Sequence, residues 1–428
     1  MAASNTESGY RALFKTRYVP SIAVSMAFAR LPTGVTTIVL VLFVSQFYGA
    51  AVSGIATAAF TAGMAVFGPL FGRVVDRGHG PAVLRILALS QMAAMFALVG
   101  GVVGGLSSAL AIAASFLCGA LMPPIAGVTR SLWPTMLDAR LVPTAYNFEV
   151  LIVDALYVTG PLLASIFVAF NVPEWGLLFT TAGSMAGSLA LAGLKPVNEH
   201  AKLNRERIGR EGLHAEKAAV ADDEGNAPVA KAALLTLPVA LLLAAPLTKF
   251  CYSGWVETLY PLYYSDMGNA ALSSIAISVW SIGSCVGVLL FARLQPPARR
   301  ISRPRQLAIF TAGFVATTLL TSIGLDNIVV MCVAIFIIGA AAAPGDNLYY
   351  QLAGELAPQE RQAEMFSWLN TCTSIGFAAG AFFAGVSAET CGWLAAFMLP
   401  SLCAFASFCV CFALAIACRK RTNAPHNA

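Results

Sequence analysis

The sequence predicts an all-α integral membrane protein, and three of its properties lead to that fold class. Of the 428 residues, 58% are hydrophobic and only 11% are charged, whereas soluble domains carry about 25% charged residues. Apolar runs recur from Tyr18 to Cys418, and each is long enough to cross about 30 Å of hydrocarbon as a helix. These runs also lack the polar face that a helix in a soluble core needs.

We place twelve transmembrane helices by the length of the apolar runs. They cover roughly residues 18–46, 50–72, 82–104, 108–130, 144–169, 174–194, 233–264, 269–293, 306–325, 328–352, 361–386 and 389–417. The first run is too long for the apolar region of a signal peptide and carries Arg30 in mid-span. We therefore interpret it as a retained helix.

The connections between the helices alternate in charge. Those near residues 46–49, 104–108, 170–174, 265–269, 326 and 387–391 contain no Lys or Arg, and the opposite set is basic. By the positive-inside rule the basic side is cytoplasmic, so both termini should face the cytoplasm of a bacterial inner membrane. The net charge of +5 then reflects topology, and we expect no nucleic-acid partner.

The chain divides into two bundles and a linker. Residues 195–232 balance acidic and basic residues, lack an apolar face, and are interpreted as a cytoplasmic linker with room for some helix. It joins a six-helix bundle of residues 1–194 to a second one of residues 233–418, and residues 419–428 form a cytoplasmic tail. The chain contains no GxxxxGK[ST] phosphate loop, so ATP hydrolysis is not expected.

The two halves repeat each other's landmarks at equal spacing. Arg30 and Gly49 match Lys249 and Gly268, and Gly119 and Pro124 match Gly339 and Pro344. This agreement favours an internal duplication. Duplicated halves with a binding site at their interface are the general design of secondary transporters.

Several segments carry a resemblance to a known family. Residues 72–80 (GRVVDRGHG) resemble the major facilitator signature GxLxDRxG between helices two and three, with His79 where the last Gly is expected. Gly160-Pro161 resembles the core of the antiporter signature in helix five, without its surrounding glycines, and the signature Arg of helix four is absent at Ser115. The segments PPIAGVTRSLWPTML and AYNFEVLIVDALYVTGPLL are similar to a bacterial branch that mostly lacks assigned substrates. The resemblance covers nearly the whole chain and implies two pseudo-symmetric six-helix bundles.

The same resemblance implies a gate at the cytoplasmic ends of the helices. Asp76 and Arg77 would close that side against the N-terminal end of helix eleven, and Arg130 is the candidate partner of Asp76. Gly72 permits the close helix contact that such a gate needs, and Gly160 and Pro161 are assigned to gating as well. The alternative is that these are ordinary interfacial charges that fix orientation.

Charged residues inside the spans are candidates for the binding site. A charged side chain at a helix centre costs about 2.5–3.5 kcal/mol, so such residues usually face a bundle interior or a wet cavity. Arg30 and Lys249 lie near mid-membrane at equivalent positions. The candidate solute-binding residues are Arg30, Thr33, Thr37, Lys249, Ser253, Glu257, Tyr260 and Asn370.

The role of these charges has three alternatives. Arg30 and Lys249 bind an anionic group, or they form salt bridges that rearrange during transport, or their pairing is purely structural. The expected acidic partners are Asp154 for Arg30, and Glu257 or Asp346 for Lys249. The three carboxylates are also the candidate proton-coupling sites, because a carboxylate in a low-dielectric environment takes up a proton more readily than in water. Pro344 is expected to break helix ten just before Asp346, as a packing kink or a hinge.

The function that follows is a carrier of a small polar or amphipathic organic solute by alternating access. We expect it to be proton-coupled or substrate-exchanging and to favour export. The preference for export rests on Gly160-Pro161. The alternatives are uptake or exchange of an organic anion, and a non-transporting membrane sensor on the same fold. No catalytic constellation occurs, since all four histidines fall in cytoplasmic segments, and the cysteines show no zinc spacing. We expect a monomer in the bilayer with no cofactor, no metal and no enzymatic activity.

Overall fold

A computed structural model of the chain describes residues 10–207, 236–269, 271–294, 302–318, 320, 327–356 and 362–423. These residues form helices joined by short turns, and no strand occurs among them. The helical state satisfies every backbone group within its own segment, which the bilayer core requires because it offers no water. The prediction of an all-α fold with twelve transmembrane helices is confirmed.

The bounds of the transmembrane helices follow the predicted ones to within a few residues at most ends. They are α1 (Val19–Ala29 and the first part of Thr36–Val74), α2 (the second part of Thr36–Val74), α3 (Gly80–Val103), α4 (Ser108–Ala120 and Ile125–Met136), α5 (Val142–Ala169), α6 (Pro173–Gly193), α7 (Leu237–Asp266), α8 (Ala271–Leu294), α9 (Arg303–Thr318), α10 (Ile328–Leu356), α11 (Gln362–Thr390) and α12 (Trp393–Met398 and Pro400–Asn423). By length and composition alone, eight helical stretches of the described chain can span a membrane, and one of them, Thr36–Val103, runs through several of these helices.

Tight turns mark one face of the molecule. The residues with positive φ at these turns are Gly49, Gly105, Asn171, Gly268 and Gly392. We call this side the loop face. The other side, the terminal face, carries the ends of α2, α4 and α6 and the beginning of α7. Which face lies in the cytoplasm remains a prediction from the positions of Lys and Arg.

Two helices of the first bundle are interrupted inside the membrane. In α1 the helix stops at Ala29 and resumes at Thr36, and the intervening turn contains Pro32 and Gly34, whose φ is 85°. In α4 it stops at Ala120 and resumes at Ile125, after two consecutive prolines. A proline removes a backbone donor and disfavours helix in the residue before it, so two in a row end a helix effectively.

The counterparts in the second bundle are continuous. The expected break of helix ten at Pro344 is wrong, because α10 runs unbroken from Ile328 to Leu356. A single proline removes only one backbone donor. The helix there also packs on α9, since a Cβ at Gly345 would lie 3.8 Å from Leu307.

The packing of the helices supports an internal duplication. In the first bundle Gly119 of α4 lies against the backbone carbonyl of Phe60 in α2. In the second bundle Gly339 of α10 lies in the same way against the carbonyl of Trp280 in α8. The two glycines are the counterparts that the sequence identified, and a Cβ at either one would collide with the facing carbonyl.

The described part of the predicted linker is a helix of residues 195–207 that docks on the first bundle. Val197 and Ala201 are buried, although the sequence reading gave this segment no apolar face. Gly78, with a φ of 83°, sits directly against the carbonyl of Ala201. Residues 208–232 of the predicted linker lie outside the described residues.

Candidate functional site

The break in α1 positions Arg30 in the interior of the first bundle. Arg30 is the first residue after the helical segment Val19–Ala29, and only 8% of its surface is exposed. The break leaves backbone carbonyls without helical partners, and the Ser184 hydroxyl of α6 donates to the carbonyl of Ala29 at 2.9 Å. The sequence prediction that Arg30 is a buried charge deep in the bundle is therefore consistent with its position.

The partner of Arg30 is Glu149 of α5, a residue that the sequence analysis missed. Glu149 is fully buried and accepts from Arg30 Nη2 at 3.2 Å and from Trp133 Nε1 at 2.8 Å. Arg130 Nε lies 3.4 Å from the same carboxylate. The side chain of Asp154, the expected partner, lies outside the described residues. A sequence signal existed, since Arg130 and Trp133 are two donors three residues apart on one helix face and require an acceptor.

Two guanidinium groups share one carboxylate, so the described side chains of this cluster carry one excess positive charge. Arg30 is held inside the bundle, but 60% of the Arg130 side chain is exposed. The expected pairing of Arg130 with Asp76 is not what the structure shows, since Glu149 holds its Nε and Asp76 is exposed.

In the second bundle Lys249 of α7 forms an ion pair with Asp346 of α10. Lys249 Nζ lies 2.6 Å from Asp346 Oδ2 and 4.4 Å from the centre of the Phe250 ring. Of the two partners that the sequence left open, the structure selects Asp346. A space of about 10 Å³, room for one water molecule, adjoins the pair, and it is lined in part by Thr311 and Tyr349.

Glu257 has a different environment from the rest of its helix. Between Cys251 and Tyr264 every residue of α7 is buried except Glu257, which is half-buried. It makes no ion pair with any described residue, although the charge of Lys249 reaches it. Glu257 is therefore the one residue in this stretch of α7 with substantial accessible surface.

The other predicted binding residues separate into two groups. Tyr260 packs against Phe397 of α12 with ring centres 5.2 Å apart and only 1% of its surface exposed, so it belongs to the core of the second bundle. Ser253 is buried as well. Thr33 and Thr37 are half-buried, and Asn370 is exposed.

The predicted gating residues at the end of α2 make no close helix contact among the described residues in this conformation. Asp76 and Arg77 are exposed, and a Cβ placed on Gly72 would meet nothing within 4 Å. The close helix contact expected at Gly72 is thus not made here. Near Asp76, burial and the charge of Arg207 lower the pKa of His200, and Asp76 opposes this shift. The gate itself stays a prediction.

Gly160 is positioned at the break in α1. A Cβ at Gly160 would lie 3.1 Å from the backbone carbon of Gly34 and 3.3 Å from the carbonyl oxygen of Thr33. The glycine therefore allows α5 to approach the interrupted part of α1. Pro161 follows it within the same helix and is buried.

The two bundles meet close to the loop face. Gly54 and Gly385 pack backbone to backbone, and a Cβ at Gly54 would come within 2.8 Å of the Gly385 Cα. Glu389 Oε1 accepts from the backbone N–H of Ala51 at 2.7 Å, at the beginning of α2.

A further contact between the bundles lies closer to mid-membrane, where the Ser278 hydroxyl donates to the Val158 carbonyl at 3.2 Å. In contrast, Arg130, Tyr350 and Asn370 are exposed toward the terminal face. The contacts close the space between the bundles near the loop face, and the exposure of these three residues indicates that it opens toward the terminal face.

Two six-helix bundles around a charged space open to one side define the class of membrane transporters built from duplicated halves. The chain belongs to the Major Facilitator Superfamily, whose model matches residues 22–297 and 270–428. No curated protein matches the chain.

Solved structures of transporters share the fold. A peptide transporter, POT, is 13% identical with a TM-score of 0.68, covering 96% of this chain and 94% of that chain. A D-xylose-proton symporter is 12% identical with a TM-score of 0.67, covering 93% and 97%. A bacterial homologue of the iron transporter ferroportin in an inward-facing state is 15% identical with a TM-score of 0.61, covering 92% and 98%.

Proposed function

We propose that the chain is a proton-coupled secondary transporter that moves a small polar or amphipathic organic solute by alternating access. The observation that carries the proton coupling is Glu257, a half-buried carboxylate in an otherwise buried stretch of α7. Asp346 is held by Lys249, which stabilises its charged form, so Glu257 is the better proton carrier of the two. One of the structural neighbours is named as a proton symporter, which is compatible with this assignment.

The conformation fits the inward-open half of such a cycle. The basic connections assign the terminal face to the cytoplasm of a bacterial inner membrane. Reporter fusions after Gly49 and Asn171 should then read periplasmic, and a fusion after Gly80 should read cytoplasmic. A cytoplasmic signal at either of the first two positions would refute this topology.

Export is the proposed direction, and Gly160 supports it. The residue belongs to the segment that resembles the antiporter signature, and it allows α5 to contact the interrupted part of α1. Uptake or exchange of an organic anion is a second candidate, favoured by the unbalanced positive charge at Arg130. Transport measured separately in right-side-out and inside-out vesicles distinguishes the two directions.

Exchange and net transport in proteoliposomes test the role of Glu257. A ligand found by thermal-shift screening is first assayed for counterflow, in which solute exchanges for solute with no net proton movement. Glu257→Gln should retain counterflow but lose accumulation driven by a pH gradient, because only net transport requires the proton. Asp138→Asn, which removes an exposed carboxylate at the end of α4, is the matched control and should keep both activities.

Two results would contradict this proposal. Gradient-driven accumulation by Glu257→Gln at the parent rate would remove Glu257 from the coupling mechanism. A ligand that stabilises the protein but shows no counterflow would favour the non-transporting sensor.

A further inference from the structure

We propose that Arg130 binds an oxyanion of the transported solute in the space between the bundles, so that the substrate class is organic anions. This inference rests on the proposed transport function, and it transfers the anion site from Arg30 and Lys249 to a residue that the sequence assigned to gating. An anion can bind only where a positive charge is available to a ligand.

Neither of the two mid-membrane cations is available. Arg30 is buried against Glu149, and Lys249 is bound to Asp346 at 2.6 Å. A ligand would have to displace the buried Glu149 carboxylate from Arg30, or the half-buried Asp346 carboxylate from the buried Lys249, and leaving a buried charge unpaired is costly. Among the described side chains, Arg130 carries the excess positive charge of its cluster, because Glu149 neutralises one of the two guanidinium groups.

The guanidinium group of Arg130 is held at one edge only. Its Nε contacts the buried Glu149 carboxylate at 3.4 Å, and its backbone carbonyl accepts from the Tyr146 hydroxyl at 3.2 Å. Among the described residues no partner occupies its two Nη groups, and 60% of the side chain is exposed. Those two groups form the planar fork that binds carboxylate or phosphate oxygens in pairs.

Arg130 lies within electrostatic reach of the second bundle. The hydroxyl of Tyr350 in α10 experiences the charges of both Asp346 and Arg130, which places the guanidinium within electrostatic reach of that helix. Tyr350 is itself exposed, on the side where the bundles are open. A solute entering from the terminal face therefore passes Arg130 before it reaches the deeper part of the space.

The buried carboxylate of Glu149 holds the guanidinium group of Arg130 in a defined orientation. Glu149 is oriented by three donors on three different side chains, and it fixes the Nε edge of Arg130 without neutralising the whole cluster. A solute anion would complete the charge balance of two arginines and two oxyanions. This is the composition expected of a site that binds an anion selectively over a neutral or cationic analogue.

The test uses sets of probes with one skeleton and different charges. One set contains an aromatic carboxylate, its primary amide and the corresponding amine. A second set contains a phosphate monoester and its alcohol. Ligand-dependent thermal stabilisation is measured for the purified full-length protein in lipid nanodiscs. The parent is compared with Arg130→Gln, Arg130→Lys and Arg140→Gln, the last being an exposed arginine just beyond the end of α4.

Anions should stabilise the parent protein, and their amides, alcohols and amines should not. Arg130→Gln should raise the apparent Kd of the anions by about 10-fold or more, the size expected for loss of a hydrogen bond to a charged group. Arg130→Lys should lose less, and Arg140→Gln should match the parent. The melting temperature of each variant without ligand shows that it is folded, and the exposure of Arg130 predicts little change there.

Several outcomes overturn the inference. It fails if amides or amines stabilise as well as the anions, if no anion stabilises more than its neutral analogue, or if Arg130→Gln binds anions like the parent. Counterflow separates this failure from failure of the transport proposal. If an amine binds and exchanges, the transport proposal is supported and the anion site is refuted. If anions bind in an Arg130-dependent way but do not exchange, the anion site is supported and the transport proposal is refuted.

Discussion

Replacement of Glu149 by Gln is the sharpest perturbation of the buried cluster. The substitution keeps the size of the side chain and an acceptor for Trp133, but it removes the charge that balances Arg30. Removing one partner of a buried ion pair typically destabilises by about 3–5 kcal/mol. Ordinary interhelical hydrogen bonds in membrane proteins average only about 0.6 kcal/mol, so a loss of this size would identify an uncompensated charge.

The two arginines should respond differently to the loss of Glu149. Arg30 has a side chain that is 10% exposed and Arg130 one that is 60% exposed, so most of the cost should come from Arg30. Arg30→Gln added to Glu149→Gln should recover part of the stability, because two neutral partners cost less than one buried charge. Arg130→Gln added to Glu149→Gln should recover little, since an exposed pair is worth about 0–1 kcal/mol.

A double-mutant cycle measures this coupling. The free energy of unfolding is determined for the four combinations at positions 30 and 149, in mixed micelles where unfolding is reversible. A double variant less destabilised than the two single variants combined is the expected result. Strictly additive effects would refute the reasoning, because they would mean that Arg30 and Glu149 do not share an energetic interaction.

Three further changes test other parts of the structure. Glu389→Gln should weaken closure at the loop face and increase labelling of cysteines introduced there, and unchanged labelling would argue against its capping role. Gly160→Leu should destabilise the protein by about 1–3 kcal/mol through collision with Gly34, and Gly160→Ala should have a stability between those of the parent and Gly160→Leu. Equal melting temperatures of the parent and the two variants would refute the contact. Lowering the pH should loosen the helix of residues 195–207, because the pKa of His200 is lowered in the folded protein. The contribution of neutral His200 to stability is complete at a pH above its usual pKa of about 6.5, and it is lost as the pH falls through the lower pKa of the folded protein. Hydrogen exchange of this helix should show the loss in the parent and not in His200→Gln.

The sequence was sufficient for the fold because the lengths of apolar runs and the Gly and Pro spacing act locally or repeat. It also located Arg30 and Lys249, since a charge inside an apolar run is visible without any structure. Their partners were harder to find. Glu149 lies only seven residues after the beginning of α5, where an acidic residue resembles an interfacial one, and the break in α1 that brings Arg30 to it depends on tertiary packing.

The candidate binding residues on α7 were only partly correct, for a geometric reason. Successive residues of a helix are rotated by about 100°, so Tyr260 returns to within about 20° of Lys249, but Glu257 lies about 80° away. Lys249 points to α10, and Tyr260 therefore follows it into the bundle core. Glu257 alone reaches the accessible side. The sequence located these polar residues but did not separate the two faces of the helix.

The two halves of the chain have kept one packing plan and have come to differ in their charged sites. The glycine contacts at Gly119 and Gly339 remain equivalent, because backbone contact tolerates no Cβ. The helices that carry the charges differ: α1 and α4 are broken and share the Glu149 cluster, whereas α7 and α10 are continuous and form one closed pair. A broken helix can change direction at little cost, and Glu149 ties both of the broken helices to α5. The first bundle thus combines interrupted helices with an exposed positive charge, and the second contributes continuous helices that carry the half-buried Glu257. This difference between the bundles is consistent with the two proposed sites, an anion on Arg130 of the first bundle and a proton on Glu257 of the second.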